Sequence, residues 1–218
     1  MKSLKEYIGE GLLDRVKNKE VNHKILIEEF LETNYKIAGS YDIKVTKNGS
    51  VVDVNCGVEV INKNIISLTN GLFEFGEVSG WFLCSNCKSL TSLKGAPKKV
   101  EEDFWCRGCD SLKTLEGAPK EVECDFDCSN CKSLTSLKGA PEKVDGDFYC
   151  NNCDSLKSLE DAPEKIWGDF ICSRCKSLKS LEGAPKEVGR GFYCNGCGIQ
   201  FTEEDVKKYT TVVKKIYI

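Results

Sequence analysis

The chain has 218 residues, 40% of them hydrophobic and 30% charged, a mix that folds and argues against wholesale disorder. Its net charge of −3 gives no electrostatic footprint for nucleic acid. No apolar run reaches the roughly 20 residues of a membrane helix, and no hydrophobic signal core follows Lys2 and Lys5, so neither a membrane span nor signal-peptide secretion is expected. Residues 1–38 form the first segment. Leu4, Tyr7, Ile8, Leu12 and Val16 follow helical spacing, weakened by Gly9 and Gly11. Ile25, Leu26, Phe30 and Leu31 predict a second helix over 23–34. Residues 39–59 predict a capping hairpin. Ile43 and Val45 alternate, Asn48 and Gly49 make a two-residue turn signal, and Val52 and Val54 alternate again.

A repeat dominates the rest of the chain. Phe82, Phe104, Phe126, Phe148, Phe170 and Phe192 stand 22 residues apart. Each is followed by a C-x-x-C pair, from Cys84 and Cys87 to Cys194 and Cys197. Two leucines come next, as in Leu90 and Leu93, then an Ala-Pro pair and a Val or Ile such as Val100. A degenerate copy aligns Val60, Ile65, Leu68 and Val78 with Phe82, Cys87, Leu90 and Val100. Residues 84–97 and 128–141 are identical, which points to a 44-residue duplication. One unit cannot bury its apolar face alone, whereas stacked units bury a continuous core. Residues 60–201 therefore predict a repeat solenoid, with short parallel strands along one face and a mostly irregular opposite side. Residues 202–218 predict a capping helix. Thr202 to Asp205 read as its N-cap, and Val206, Tyr209, Val212 and Ile216 as its apolar stripe.

The unit F-x-C-x-x-C-x-x-L resembles the leucine-rich-repeat signature, with the second Cys in the place of that family's asparagine or cysteine ladder. The apolar residue before each Phe lies four back, as Val144 does from Phe148, not three. More narrowly, the run at 183–197 is similar to leucine-rich-repeat-like proteins of tailed bacteriophages, which implies a viral origin and no activity. Residues 1–10 resemble the capsid-targeting leader of internal head proteins in T-even-type phages. That resemblance implies a processing site at Ile8, Gly9 and Glu10, cut after Glu10. The other reading is an ordinary amphipathic helix docked on the solenoid.

The chain has 14 Cys and one His. Paired C-x-x-C motifs are strong zinc ligands elsewhere. Here the repeat puts every such Cys at an inward position, where a free thiol serves as a small hydrophobe. Core thiols are preferred, zinc is the alternative, and disulfides are disfavoured without a secretion signal. No metal or cofactor is expected. Cys56 and Cys124 fall outside the pattern, Cys124 as an exposed thiol. The repeats hold no His, so no Ser–His–Asp or Cys–His arrangement is available and no enzymatic activity is expected. Asp103, Asp125, Asp147 and Asp169 form a column read as turn caps.

One outward residue per coil lies between Phe and the first Cys, giving the column Leu83, Trp105, Asp127, Tyr149, Ile171 and Tyr193, with Arg107 and Arg174 beside it. Its partner-binding candidates are Leu83, Trp105, Arg107, Tyr149, Ile171, Arg174 and Tyr193. Trp and Tyr are favoured hot-spot residues, though the same rings could simply stack across strands. Two further columns alternate in charge almost throughout: Lys88, Asp110, Lys132, Asp154 and Lys176, and Lys94, Glu116, Lys138, Glu160 and Glu182. The expectation is a monomeric protein-interaction module of a tailed phage, meeting a host or phage protein in the host cytoplasm or virion interior. A structural zinc-binding repeat protein and a purely structural virion component are the alternatives.

Overall fold

The structure, a computed structural model, describes residues 23–46 and 49–218. The processing residues Ile8 and Glu10, the first expected helix and the hairpin turn at Lys47 and Asn48 lie outside the described residues.

The described part of the chain opens with helix α1 (His23–Asn34), at its predicted bounds. Strand β1 (Tyr35–Ile37) follows, then the hairpin β2 (Tyr41–Thr46) and β3 (Gly49–Val54), paired antiparallel. From β4 (Val58–Val60) and β5 (Glu74–Val78) onward the chain coils between two parallel sheets. One sheet is built on the Phe positions. Its strands are β6 (Phe82–Leu83), β8 (Phe104–Trp105), β10 (Phe126–Asp127), β12 (Phe148–Tyr149), β14 (Phe170–Ile171) and β16 (Gly191–Tyr193). The other is built on the Val and Ile positions: β7 (Lys99–Val100), β9 (Glu121–Val122), β11 (Lys143–Val144), β13 (Lys165–Ile166) and β15 (Glu187–Val188). Among the described residues each sheet has nine strands, and helix α2 (Glu203–Tyr209), β17 (Thr211–Val212) and β18 (Lys215–Tyr217) make up the last coil. The chain is thus a repeat β-solenoid. The side expected to be mostly irregular still carries a ladder, because one Val or Ile per coil anchors a two-residue strand there.

Spacing explains the corners. The Leu90 amide donates to the Cys87 carbonyl (3.0 Å), and the Ala96 amide to the Leu93 carbonyl (2.9 Å). These three-residue turns bring every third side chain inward, and Leu90 and Leu93 are fully buried. Phe82 to Phe192 form a continuous inner stack with centroids 5.1–5.5 Å apart. Burying one such ring stabilises the fold by about 1.5–3 kcal/mol relative to exposure. The position before the second Cys is left-handed in every coil. Asn86, Asn130, Asn152, Gly108 and Gly196 supply it, with φ of 56–70°, as those residue types tolerate best.

Two sequence readings need correction. Val58, not Val60, pairs with Phe82, although Val78 keeps its register with Val100. The degenerate coil therefore carries two extra residues between its strands. The C-terminal helix stops at Tyr209, and Val212 and Ile216 sit in β17 and β18. A β-branched run at Thr210, Thr211, Val212 and Val213 disfavours helix and favours strand. The N-cap is where it was predicted, and it is a full capping box: the Thr202 hydroxyl accepts from the Asp205 amide, and the Asp205 carboxylate accepts from the Thr202 amide.

Candidate partner-binding face

Four ladders hold the face in place. The first is made of thiols. Cys109, Cys131, Cys153, Cys175 and Cys197 each donate Sγ to the carbonyl of the first Cys one coil back, at 3.1–3.3 Å. This is the inward ladder position anticipated for the second Cys. All 14 cysteines are free thiols, and even spacing along the stack replaces the pinched pairs a four-cysteine site would need. Among the described residues no three His, Cys, Asp or Glu side chains group to hold a metal. Cys124 is exposed, and its thiol is pushed up by partial burial and by Asp103 and Asp125.

The second ladder is carboxylate. Asp103, Asp125, Asp147 and Asp169 each accept the backbone amide of the equivalent residue one coil on, at 2.7–3.0 Å. This is the turn-capping role expected of the column. Burial, more than its acidic neighbours, raises the Asp125 carboxyl. The third ladder is ionic: Lys88 meets Asp110 at 2.7 Å, Lys132 meets Asp154 at 3.1 Å, and Lys138 meets Glu116 at 2.8 Å. Exposed pairs of this kind contribute little each, so their main effect is on register. The fourth is the Phe stack.

Upon these stands the outward column. Strand pairing places Glu59, Leu83, Trp105, Asp127, Tyr149, Ile171, Tyr193 and Tyr217 side by side in that order. Leu83, Trp105, Tyr149, Ile171 and Tyr193 are half-buried, and Asp127 is buried. The Arg107 guanidinium lies over the Trp105 ring at 5.0 Å. The Tyr149 hydroxyl donates to Asp147 Oδ2 at 2.9 Å. Burial first, and that bond second, raise the Tyr149 phenol. Asp127 interrupts the apolar run for a local reason, since its Oδ1 accepts the Ser129 amide at 2.8 Å. Tyr193 and Tyr217 stack at 4.1 Å, and their hydrogen bond raises Tyr193 to about 12. The cross-strand ring stacking expected as the plainer alternative holds at that pair, whereas Leu83 and Asp127 flank Trp105.

Arg107 and Arg174 are not neighbours. They sit three coils apart and at different positions in the coil, roughly 14 Å at ordinary strand spacing. Arg174 is exposed and occupies the left-handed position with φ 60°, where other coils place Asn or Gly. An arginine there carries backbone strain that Asn or Gly would not, as Asp161 does at φ 66° in its own turn.

Sequence reasoning missed two aromatic residues. Tyr217 extends the column, but its 24-residue offset from Tyr193 hid it. Trp167 is 55% exposed, with Lys165 Nζ 4.0 Å from its ring centroid, on the turn after β13. A cleft of about 490 Å³ lies at the hairpin end among Ser50, Thr69, Phe73 and Lys94, away from the column. No helix among the described residues is long and apolar enough to cross a membrane.

The architecture and its outward column define a two-sheet β-solenoid repeat protein with a cysteine-lined core. Comparison with protein-family models, curated proteins and solved structures gave no match to the chain.

Proposed function

We propose that the chain is a non-enzymatic protein-interaction module whose partner docks on the Phe-sheet face around Trp105, Tyr149 and Tyr193. The observation that carries this reading is the half-buried apolar column beside a strained, exposed Arg174. A rigid parallel stack suits docking, because four ladders fix the spacing of the side chains before any partner arrives. Leu83 and Ile171 widen the apolar strip, and Arg107 is held over Trp105 at its edge. The resemblances in the sequence support a module of a tailed phage, acting in the host cytoplasm or carried in the virion interior with its leader cut after Glu10.

Two experiments test the two halves. Mass spectrometry of source virions looks for a peptide beginning at Gly11. A chain that is absent, or that begins at Met1, removes the packaged reading. Photo-crosslinking from residue 105 in infected cells identifies what touches the column. The adduct should disappear when Y149A/Y193A is added to the same probe-bearing protein and its circular dichroism is kept, and an adduct that persists there rejects the face.

A further inference from the structure

The two ends of the solenoid are finished differently. At the first end α1 lies against β1 and β2, burying Ile27, Phe30 and Leu31 in the core. At the second end β17 and β18 are the outermost strands of both sheets, and among the described residues no strand pairs with their outer sides. An exposed sheet edge is a template for another strand.

Register shows what this edge offers. In the coils before it, the Phe and first-Cys amides donate to carbonyls of the following coil, as Cys172 does to Tyr193 and Cys194 to Tyr217. Ile216 occupies the Phe position and Ile218 the Cys position of the last coil. Their amides therefore face outward as donors for a further strand. Apolar surface surrounds them: Val213 is 62% exposed, Ile218 45% and Ile199 44%. Beside Ile218 a cleft of about 220 Å³, bordered by Cys197, Ile199 and Phe201, has room for one apolar side chain.

Charge selects the occupant. Residues 206–218 hold four lysines and no Asp or Glu. Of the three acidic residues just before them, Glu203 is tied to Lys207, Asp205 to the Thr202 cap, and Glu204 is exposed on the first turn of α2. Lys214 precedes the open strand and Lys215 is its first residue. Two such ends facing each other would set lysines against lysines, which disfavours a second copy. We propose that this end takes up an extended, carboxylate-bearing segment of a partner protein, which adds to the Phe sheet as a strand beside β18. The site adjoins the far end of the outward column at Tyr217, but it uses the backbone edge of β18 and not the column's side chains around Trp105.

The test uses the full chain and a fluorescent peptide of alternating valine and glutamate, read by anisotropy. The peptide should bind, and K214E/K215E should weaken it at least about tenfold, in line with a charge-assisted contact. I218P removes one outward amide at the last residue of the chain and should cost a similar factor, whereas W105A should bind as the parent does. The same peptide with N-methylated amides on its pairing side keeps its charge and should not bind. Binding by the N-methylated peptide, or equal binding by K214E/K215E, overturns the proposal. So does a failure of the acidic peptide to bind, or an end-to-end dimer of the parent chain in sedimentation, which would give the edge to a second copy.

Discussion

Alkaline pH should unfold this protein early, because its core is built of thiols that must stay protonated. Besides the exposed Cys124, nine repeat cysteines are raised above the ordinary thiol value: Cys87, Cys106, Cys109, Cys128, Cys150, Cys153, Cys172, Cys175 and Cys194. Hydrogen bonds to neighbouring cysteines lead the shift for Cys87, Cys106 and Cys109, and burial leads it for the rest. Cys175 and Cys194 are each pushed up to about 12. The folded pKa is above the unfolded one, so the stability linked to each thiol is full below the unfolded value near pH 8.5 and is lost as pH rises toward the folded value. One pH unit above the unfolded value, each silent thiol gives up about 1.4 kcal/mol. Nine together give up at most roughly 13 kcal/mol near pH 9.5, comparable with the whole stability of an ordinary domain, about 5–15 kcal/mol. Circular dichroism should therefore show a cooperative loss of structure between about pH 9 and pH 10.5 under reducing conditions. Thiolate absorbance should rise in the same step. Cys197 is held down to about 7 by its hydrogen bond with Cys172 and stands outside this set; thiolates at the nine raised cysteines near pH 9 in a chain that stays folded would refute the reasoning, and so would a fold that survives to about pH 11 with those nine silent.

The ladders set three smaller expectations. R174G relieves a left-handed arginine and should raise stability by about 0.5–1 kcal/mol, a melting shift of about 1–4 °C for a chain of this size. The same shift should appear in D161G, since Asp161 holds φ 66° at the position where other coils have glycine. G117A should cost about 3 kcal/mol, because a Cβ there would lie 2.3 Å from the Lys94 nitrogen at a φ of 94°; the denaturation midpoint measures it. Dialysis against a chelator under reducing conditions should leave the melting temperature unchanged, and a fall of several degrees would restore the zinc alternative.

Much of the fold was legible because the period of the sequence is the period of the stack. Phe82, Phe104 and Phe126 are in register in the sheet as they are in the sequence. Thiols, prolines and leucines fell inside for the same reason. Legibility failed where the period changed. Coils of 24 residues at both ends displaced Val58 and Tyr217 from their expected places. Residues Val206, Tyr209, Val212 and Ile216 satisfy helical spacing on paper, yet the β-branched run through Val213 and the open edges of both sheets drew the last part into strands. The second sheet was hard to see because its strands are two residues long and contribute one apolar side chain each. In the candidate face, the column itself was read from alternation, but the strain at Arg174 is a backbone property that no residue type announces.

The alternating charges carry a consequence for how such a gene can change length. Along one column the order is Lys88, Asp110, Lys132, Asp154, Lys176, so the electrostatic repeat spans two coils whereas the packing repeat spans one. Excising a single coil would leave the hydrophobic core continuous but bring Lys88 against Lys132. Excising two would set Lys88 against Asp154 and keep the column alternating. Insertions and deletions in this protein are therefore tolerated best in pairs of coils, 44 residues at a time, the same step as its identical stretches at 84–97 and 128–141.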